Sequence, residues 1–423
     1  METDTIPQQG QESIDSADLV VGILAELDSD DIAKTYDALR ALPVPLRIAV
    51  VENDHRESTV PANPEAAAKG ESESAEDAPK NAAVFHVSSP STKPEAATGL
   101  FRMSAAYQSV FAVADKLQAR GCCVIASKLE TETPGWIWQL ARPLFEAQID
   151  LALPHYARRK FEGLLNNGIV APLIRALYGK RVNSPMGPDF AVSQRLLRRM
   201  LETKAGANGG GNRHPLASLT PTALCENLQV TEVHFGARIY PPVDWSNMSS
   251  VLADVLTPVF LDTERNAPCW QRTRVSAPVP AIGQPLALSQ DTGVIDTNRM
   301  VELFQLGNRE LQEIWGLVLP PSTLFELRKL SRLPLEQFHM PDELWVKIVY
   351  DFALAHRLRT ISRDHLLRSM TPLYLGWVAS YAQDLKTSGA MSPERRLERL
   401  SLVYEAGKSY LVSRWRWPDR FNP

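Results

Sequence analysis

At 423 residues, with 44% hydrophobic and 22% charged, the chain has an ordinary globular composition. That excludes wholly disordered, collagen-like and disulfide-scaffold polypeptides, and the length gives room for two modules. Its 45 lysines and arginines face 49 aspartates and glutamates, and a net charge of −4 argues against a nucleic-acid footprint.

The polar, acidic start METDTIPQQGQESIDSAD has neither the basic start nor the apolar centre of a signal peptide, so residues 1–16 are expected to be a flexible terminus. The first element is a buried strand over Asp18–Ile23. Asp28 to Asp31 offer capping side chains to a helix running through Ile32, Tyr36, Leu39 and Leu42, which Pro43 and Pro45 end. A second strand follows at Leu46–Val51. Strand, helix, strand in this order opens an α/β unit with a parallel sheet. Residues 58–94, with their PEAAAKGESESAEDAPKN run, are too poor in apolar groups to order themselves. They read as a largely flexible insertion, interrupted by a short strand at Ala83–Val87. Beyond it the patterns give a helix over Arg102–Ala119, a strand over Cys122–Ala126, a helix from Pro134 through Leu144 and a strand over Asp150–Pro154. A helix over Ile169–Leu177, a glycine-rich loop over 204–214, a loop through Pro215 to Thr220 and a strand over Gln229–Phe235 come next. From Thr297 the periodicity is helical. The expected division is an α/β domain over 17–260, a linker over 261–294 and a helical region over 295–423.

No apolar run reaches the roughly 18 residues of a membrane span. Cys122, Cys123, Cys225 and Cys269 form no CxxC pair, and the adjacent two read as buried reduced thiols, which fits a cytoplasmic protein. HExxH, Walker and GxSxG patterns are absent, and the run of glycines near residue 210 lacks the spacing of a phosphate cradle. His155, His234 and His365 are scattered and read as structural.

More specific are several blocks in order. The first is Leu153-Pro-His-Tyr-Ala-Arg-Arg-Lys-Phe-Glu-Gly163, continued by Asn167, Ile169-Val170, Pro172-Leu173 and Arg175-Ala-Leu-Tyr-Gly179, then Pro185, Gly187 and Asp189-Phe190. The second is Trp345-Val346, Val349 to Ala355 and Asp364 to Gly376. With the opening strand, these resemble bacterial family-2-like glycosyltransferases of the glucosylglycerate and mannosylglycerate synthase type, over most of the chain outside the insertion and residues 265–295. The resemblance implies a GT-A fold: a mixed, mostly parallel sheet binding a nucleotide-sugar donor at its strand ends, followed by helices. It places Glu26 and Asp54 against the donor's base and ribose. Arg158 and Lys160 fall against donor phosphate or acceptor carboxylate, and Asp189 faces the acceptor or the transferred sugar as the catalytic acid.

The departures cluster on the metal. Where the family carries Asp-x-Asp, this chain has Ala126-Ser127-Lys128, and Tyr240 stands for a ligating histidine. The loop from Pro215 to Thr220 holds no carboxylate, and the nucleotide loop is Leu24-Ala-Glu-Leu-Asp28. No divalent metal is therefore expected, and Lys128 joins the donor-binding set as the cation balancing diphosphate charge. Two functions follow: hexose transfer from a nucleotide sugar to a small hydroxyl acceptor such as glycerate without metal, or a catalytically inactive relative acting as a binding or regulatory protein. A homo-oligomer is compatible with either.

Overall fold

The computed structural model describes residues 15–24, 29–42, 44–52, 83–88, 100–130, 135–205, 214–239, 243–286, 294–387 and 392–418. The apolar run LVVGI forms β1 (Leu19–Ile23), every residue of it buried. It is flanked on both sides, pairing in parallel with β2 (Arg47–Glu52) and β4 (Gly121–Ile125), while β3 (Ala83–Ser88) adds to the outside of β2. A strand with helices on both faces has no polar side to show, hence the unbroken hydrophobic run. The sheet continues through β5 (Leu151–Ala157), β7 (Phe190–Ser193), β8 (Val230–Ala237) and β10 (Ala281–Ile282). Its order is β10-β8-β5-β7-β4-β1-β2-β3, while β6 (Lys180–Arg181) and β9 (Ala277–Pro278) make a separate two-stranded ribbon. Among the described strands of the large sheet, β7 alone runs antiparallel, wedged between β4 and β5. This is the mixed, mostly parallel α/β sheet that the sequence predicts.

One face of the sheet is covered by the helices Leu100–Lys116, Gln194–Ala205 and Pro215–Cys225, the other by Ser29–Arg40 and Trp136–Glu146. Packing on the first face is tight enough that a Cβ on Gly22 would lie 2.6 Å from the Val110 side chain. A second core is helical and reaches back across residue 260. Leu173, Leu252, Leu256 and Phe260 join side chains of the helices Asp342–Leu358, Thr371–Thr387 and Pro393–Arg416 in it.

Several expectations need correction. Pro215 to Thr220 open a buried helix rather than a loop, because its apolar and small side chains all find cover between the two cores. Within residues 261–294, expected as a linker, lie the end of the helix Met248–Arg265, a short helix Ala267–Trp270 and β10, which extends the sheet. Cys225 and Cys269 form a disulfide with Cα atoms 5.9 Å apart, while Cys122 and Cys123 are free and buried. The pairing joins residues 44 apart in sequence that only tertiary packing brings together, and only Cys122 and Cys123 are the free, buried thiols that the sequence suggested. Among the described residues no helix is long and apolar enough to cross a membrane. Most of the 58–94 insertion lies outside the described residues, but its short strand is β3.

Candidate functional site

Because β7 is antiparallel, its first residue pairs with the last part of β4, Val124 opposite Phe190. Asp189, one residue earlier, therefore arrives at the carboxyl end of β4, the edge where open parallel sheets receive ligands. It is fully buried. Its Oδ1 accepts the Ala126 backbone N–H at 2.7 Å, and its Oδ2 accepts the Tyr156 hydroxyl at 3.0 Å together with the Ser127 hydroxyl. The Tyr107 hydroxyl donates to the neighbouring Pro188 carbonyl at 2.9 Å. Asp189 thus fastens the first residues after β4, and Lys128 is the next side chain out.

Lys128 reaches across the tip of β1. Its Nζ lies 2.5 Å from Asp31 Oδ2, in the first turn of the helix Ser29–Arg40. That bond leads the influences holding the Asp31 carboxyl below its usual range, against the opposing effect of burial and with help from Lys34. The loop then runs along the end of β8. Ile239 N–H donates to the Lys128 carbonyl at 2.9 Å, Leu129 bridges Arg238, and Glu130 N–H donates to the Ala237 carbonyl at 2.9 Å. On its far side Arg159 grips the Glu130 carboxylate with both guanidinium nitrogens, at 2.7 and 3.1 Å, and meets Glu162 at 3.0 Å. The segment from Ala126 to Glu130 is held at each residue by the protein itself.

Arg158 lies beyond β5 but is tied inward, donating to Asn167 Oδ1 at 2.7 Å and to the Ser184 hydroxyl. Lys160 places its ammonium 5.1 Å from the Phe161 ring centre, and its carbonyl accepts the Tyr381 hydroxyl at 2.8 Å. The loop they share is braced by the helical region. The Gly168 carbonyl, in a π-helical turn over Asn166–Val170, accepts the Trp345 indole N–H at 3.0 Å and the Tyr404 hydroxyl at 2.9 Å. Lys128 therefore sits on the loop after β4 that Asp189, just before β7, pins, while Arg158 and Lys160 sit on the loop after β5. Glu26, Asp54 and Tyr240 lie outside the described residues.

Sequence reasoning missed Asp31, Tyr107 and Tyr156 as partners of this loop, and it passed over a polar cluster beside Arg158. There the rings of His155 and His234 pack 4.6 Å apart, and buried Glu232 accepts the Asn183 backbone and side-chain N–H groups at 2.7 and 2.8 Å. Burial, then His234 and Arg158, push the His155 imidazole down to about 4, so it is neutral at pH 7. Burial raises the Glu232 carboxyl. Alternation along β5 and β8 puts these residues on one face, a signal present in the sequence but indistinguishable there from a structural pattern.

The donor chemistry at the end of β4 does not fit a divalent cation. Such an ion wants hard oxygen ligands. Ala126 has none, Lys128 brings positive charge, and the Ser127 hydroxyl and the Asp189 carboxylate are spent on each other. Among the described residues no group of three His, Cys, Asp or Glu side chains is arranged to hold a metal.

No protein-family model and no curated protein matches the sequence. Among solved structures there are matches. The chain is similar to glucosyl- and mannosyl-3-phosphoglycerate synthases. The Mycobacterium tuberculosis glucosyl-3-phosphoglycerate synthase bound to phosphoglyceric acid matches at 17% identity and a TM-score of 0.39, over 62% of this chain and 85% of that one. The same enzyme with Mn2+, uridine-diphosphate-glucose and phosphoglyceric acid matches at 16% identity and 0.35, over 66% and 95%. The mannosyl-3-phosphoglycerate synthase of Rubrobacter xylanophilus matches at 13% identity and 0.36, over 67% and 80%.

Proposed function

We propose that this protein binds a nucleotide sugar at the carboxyl ends of β1 and β4 and transfers its hexose to a small hydroxyl acceptor of the glycerate kind without a bridging metal. The observation that carries this reading is Lys128. A cation stands at the strand end where the resembling family carries metal-binding carboxylates, and the loop bearing it is pinned by Asp189, Asp31 and Arg159. Preorganised positive charge beside a departing diphosphate stabilises the transition state as a metal would. Glu26 and Asp54 are proposed for the base and ribose, and Arg158 and Lys160 for the acceptor side. With its carboxylate inside the loop, Asp189 is proposed to position Ser127 and Lys128 rather than to touch the sugar.

The second reading, a nucleotide-sugar-binding protein that does not turn over, is favoured by one observation: Asp189, the acid expected to act in transfer, has both oxygens hydrogen-bonded and no exposed surface. The separating experiment is transfer from UDP-, GDP- and ADP-hexoses to glycerate and phosphoglycerate in EDTA. Turnover that survives EDTA and falls in Lys128→Ala supports the metal-free transferase. Donor binding without product under every condition supports the inactive relative, and turnover that appears only with Mn2+ rejects the role of Lys128.

A further inference from the structure

The Lys128–Asp31 contact lies at the carboxyl edge of the sheet, where open parallel sheets receive ligands. It joins the tips of two adjacent parallel strands, β1 through the helix that follows it and β4 through the loop that follows it. Its exposure is uneven: the Lys128 side chain is 43% exposed, whereas that of Asp31 is 13% exposed. The ammonium therefore faces the solvent side of the crevice while its negative partner sits behind. Asp31 is also suited to that seat, lying in the first turn of a helix, where negative charge is favoured, with Lys34 at 3.5 Å. A carboxylate held between a helix start and two lysines occupies the position that a ligand phosphate would seek.

We infer that Asp31 is an internal counter-anion that latches Lys128, and that a nucleoside diphosphate must displace it to bind. This rests on the reading of the site as a nucleotide-sugar site and adds its regulation. The physical basis is competition between anions for one cation. A diphosphate carries more charge than a single carboxylate and gains contact with Lys128 only if the pair opens, so part of its interaction is spent on opening it. Such half-exposed pairs are weak enough to be opened by a ligand. The latch keeps Lys128 in place without a metal and penalises singly charged anions that cannot outcompete Asp31.

The test is titration of UDP, GDP and ADP in EDTA into the full chain and into Asp31→Asn, Lys128→Ala and the double variant, by calorimetry. Asp31→Ser is a second way of removing the charge that keeps a residue suited to a helix start. The best-bound nucleotide is expected to bind Asp31→Asn roughly tenfold more tightly than the native protein, and Lys128→Ala at least roughly tenfold more weakly. In the Lys128→Ala background the Asp31 substitution should change affinity by less than about threefold, because no pair is left to open. An Asp31→Asn and Asp31→Ser affinity equal to or below that of the native protein overturns the latch while leaving the nucleotide-sugar reading standing. An undiminished gain in the Lys128→Ala background overturns it too, by showing that Asp31 acts independently of Lys128. Absence of binding by any nucleotide to all variants overturns the reading and the latch together.

Discussion

The ion pairs at the sheet's edge and those inside the helical region use the same side chains at different depths. At the edge, Lys128 and Arg159 are 43% and 33% exposed. In the helical region Arg396 and Asp342 are each 1% exposed, joined at 2.8 Å, with Asp384 at 2.6 Å on the same guanidinium. Water competes for the first kind, so each contributes little and opens readily. The second kind has no solvent to fall back on, and removing one partner strands a buried charge. Depth thus separates charges available to a ligand from charges committed to the fold. The helical region spends its polar groups on permanence, bracing the loop that carries Arg158 and Lys160 through Tyr381, Trp345 and Tyr404.

The contrast breaks most sharply at Arg396. Arg396→Ala should cost about 3–5 kcal/mol in denaturant unfolding, because it leaves Asp342 buried and unpaired. A cost under about 1 kcal/mol would erase the distinction between the two kinds of pair. Gly168→Ala tests the brace: a Cβ there would lie 2.4 Å from the Trp377 ring, and overpacking of this kind costs about 1–3 kcal/mol. Asp189→Asn should destabilise by a similar margin of about 1–3 kcal/mol, since an amide turns a donor toward the groups that Asp189 now accepts from. A variant as stable as the native chain would show that the carboxylate is not a fastener.

His356 sharpens the same point through pH. It is fully buried, neither ring nitrogen has a partner among the described residues, and burial, aided by Arg363 and Arg359, pushes its pKa down to about 3. The unfolded chain takes up that proton near pH 6.5 while the native chain does not, so stability falls as pH drops from about 6.5 toward 3. Below pH 6.5 His356→Leu should lose less stability than the native protein, by up to about 1.4 kcal/mol per pH unit. Parallel melting curves at pH 7 and 5 would discard the idea if the two proteins shifted equally. The smallest effect is expected at the edge. Glu130→Gln removes one of the two carboxylates that Arg159 meets and should change stability by no more than about 1 kcal/mol.

Much of the scaffold was legible. β1, β2 and β4 announce themselves as apolar runs, and the helix Asp342–Leu358 follows its own periodicity. The four-residue β7 escaped, since FAVS is too short to carry a pattern and nothing in it encodes direction. The site was legible in part. Lys128 and Asp189 were singled out in the sequence by a resemblance alone, and Asp31, 97 residues from Lys128, was not singled out as its partner. Within the run Asp28-Ser-Asp-Asp31 at a helix start, Asp31 looks like any other capping residue.

Local order was settled by the sequence on its own. Propensity and hydrophobic period act over a few residues, so most strands and helices and their apolar faces could be read without coordinates. Only the tertiary structure decided which charges meet and how deep they lie. The antiparallel insertion of β7 carries Asp189 under the end of β4, the parallel pairing of β1 with β4 brings Asp31 to Lys128, and packing of the two cores joins Cys225 to Cys269. Each of these depends on strand order and chain crossing, which couple residues tens of positions apart and leave no trace in any short window of sequence.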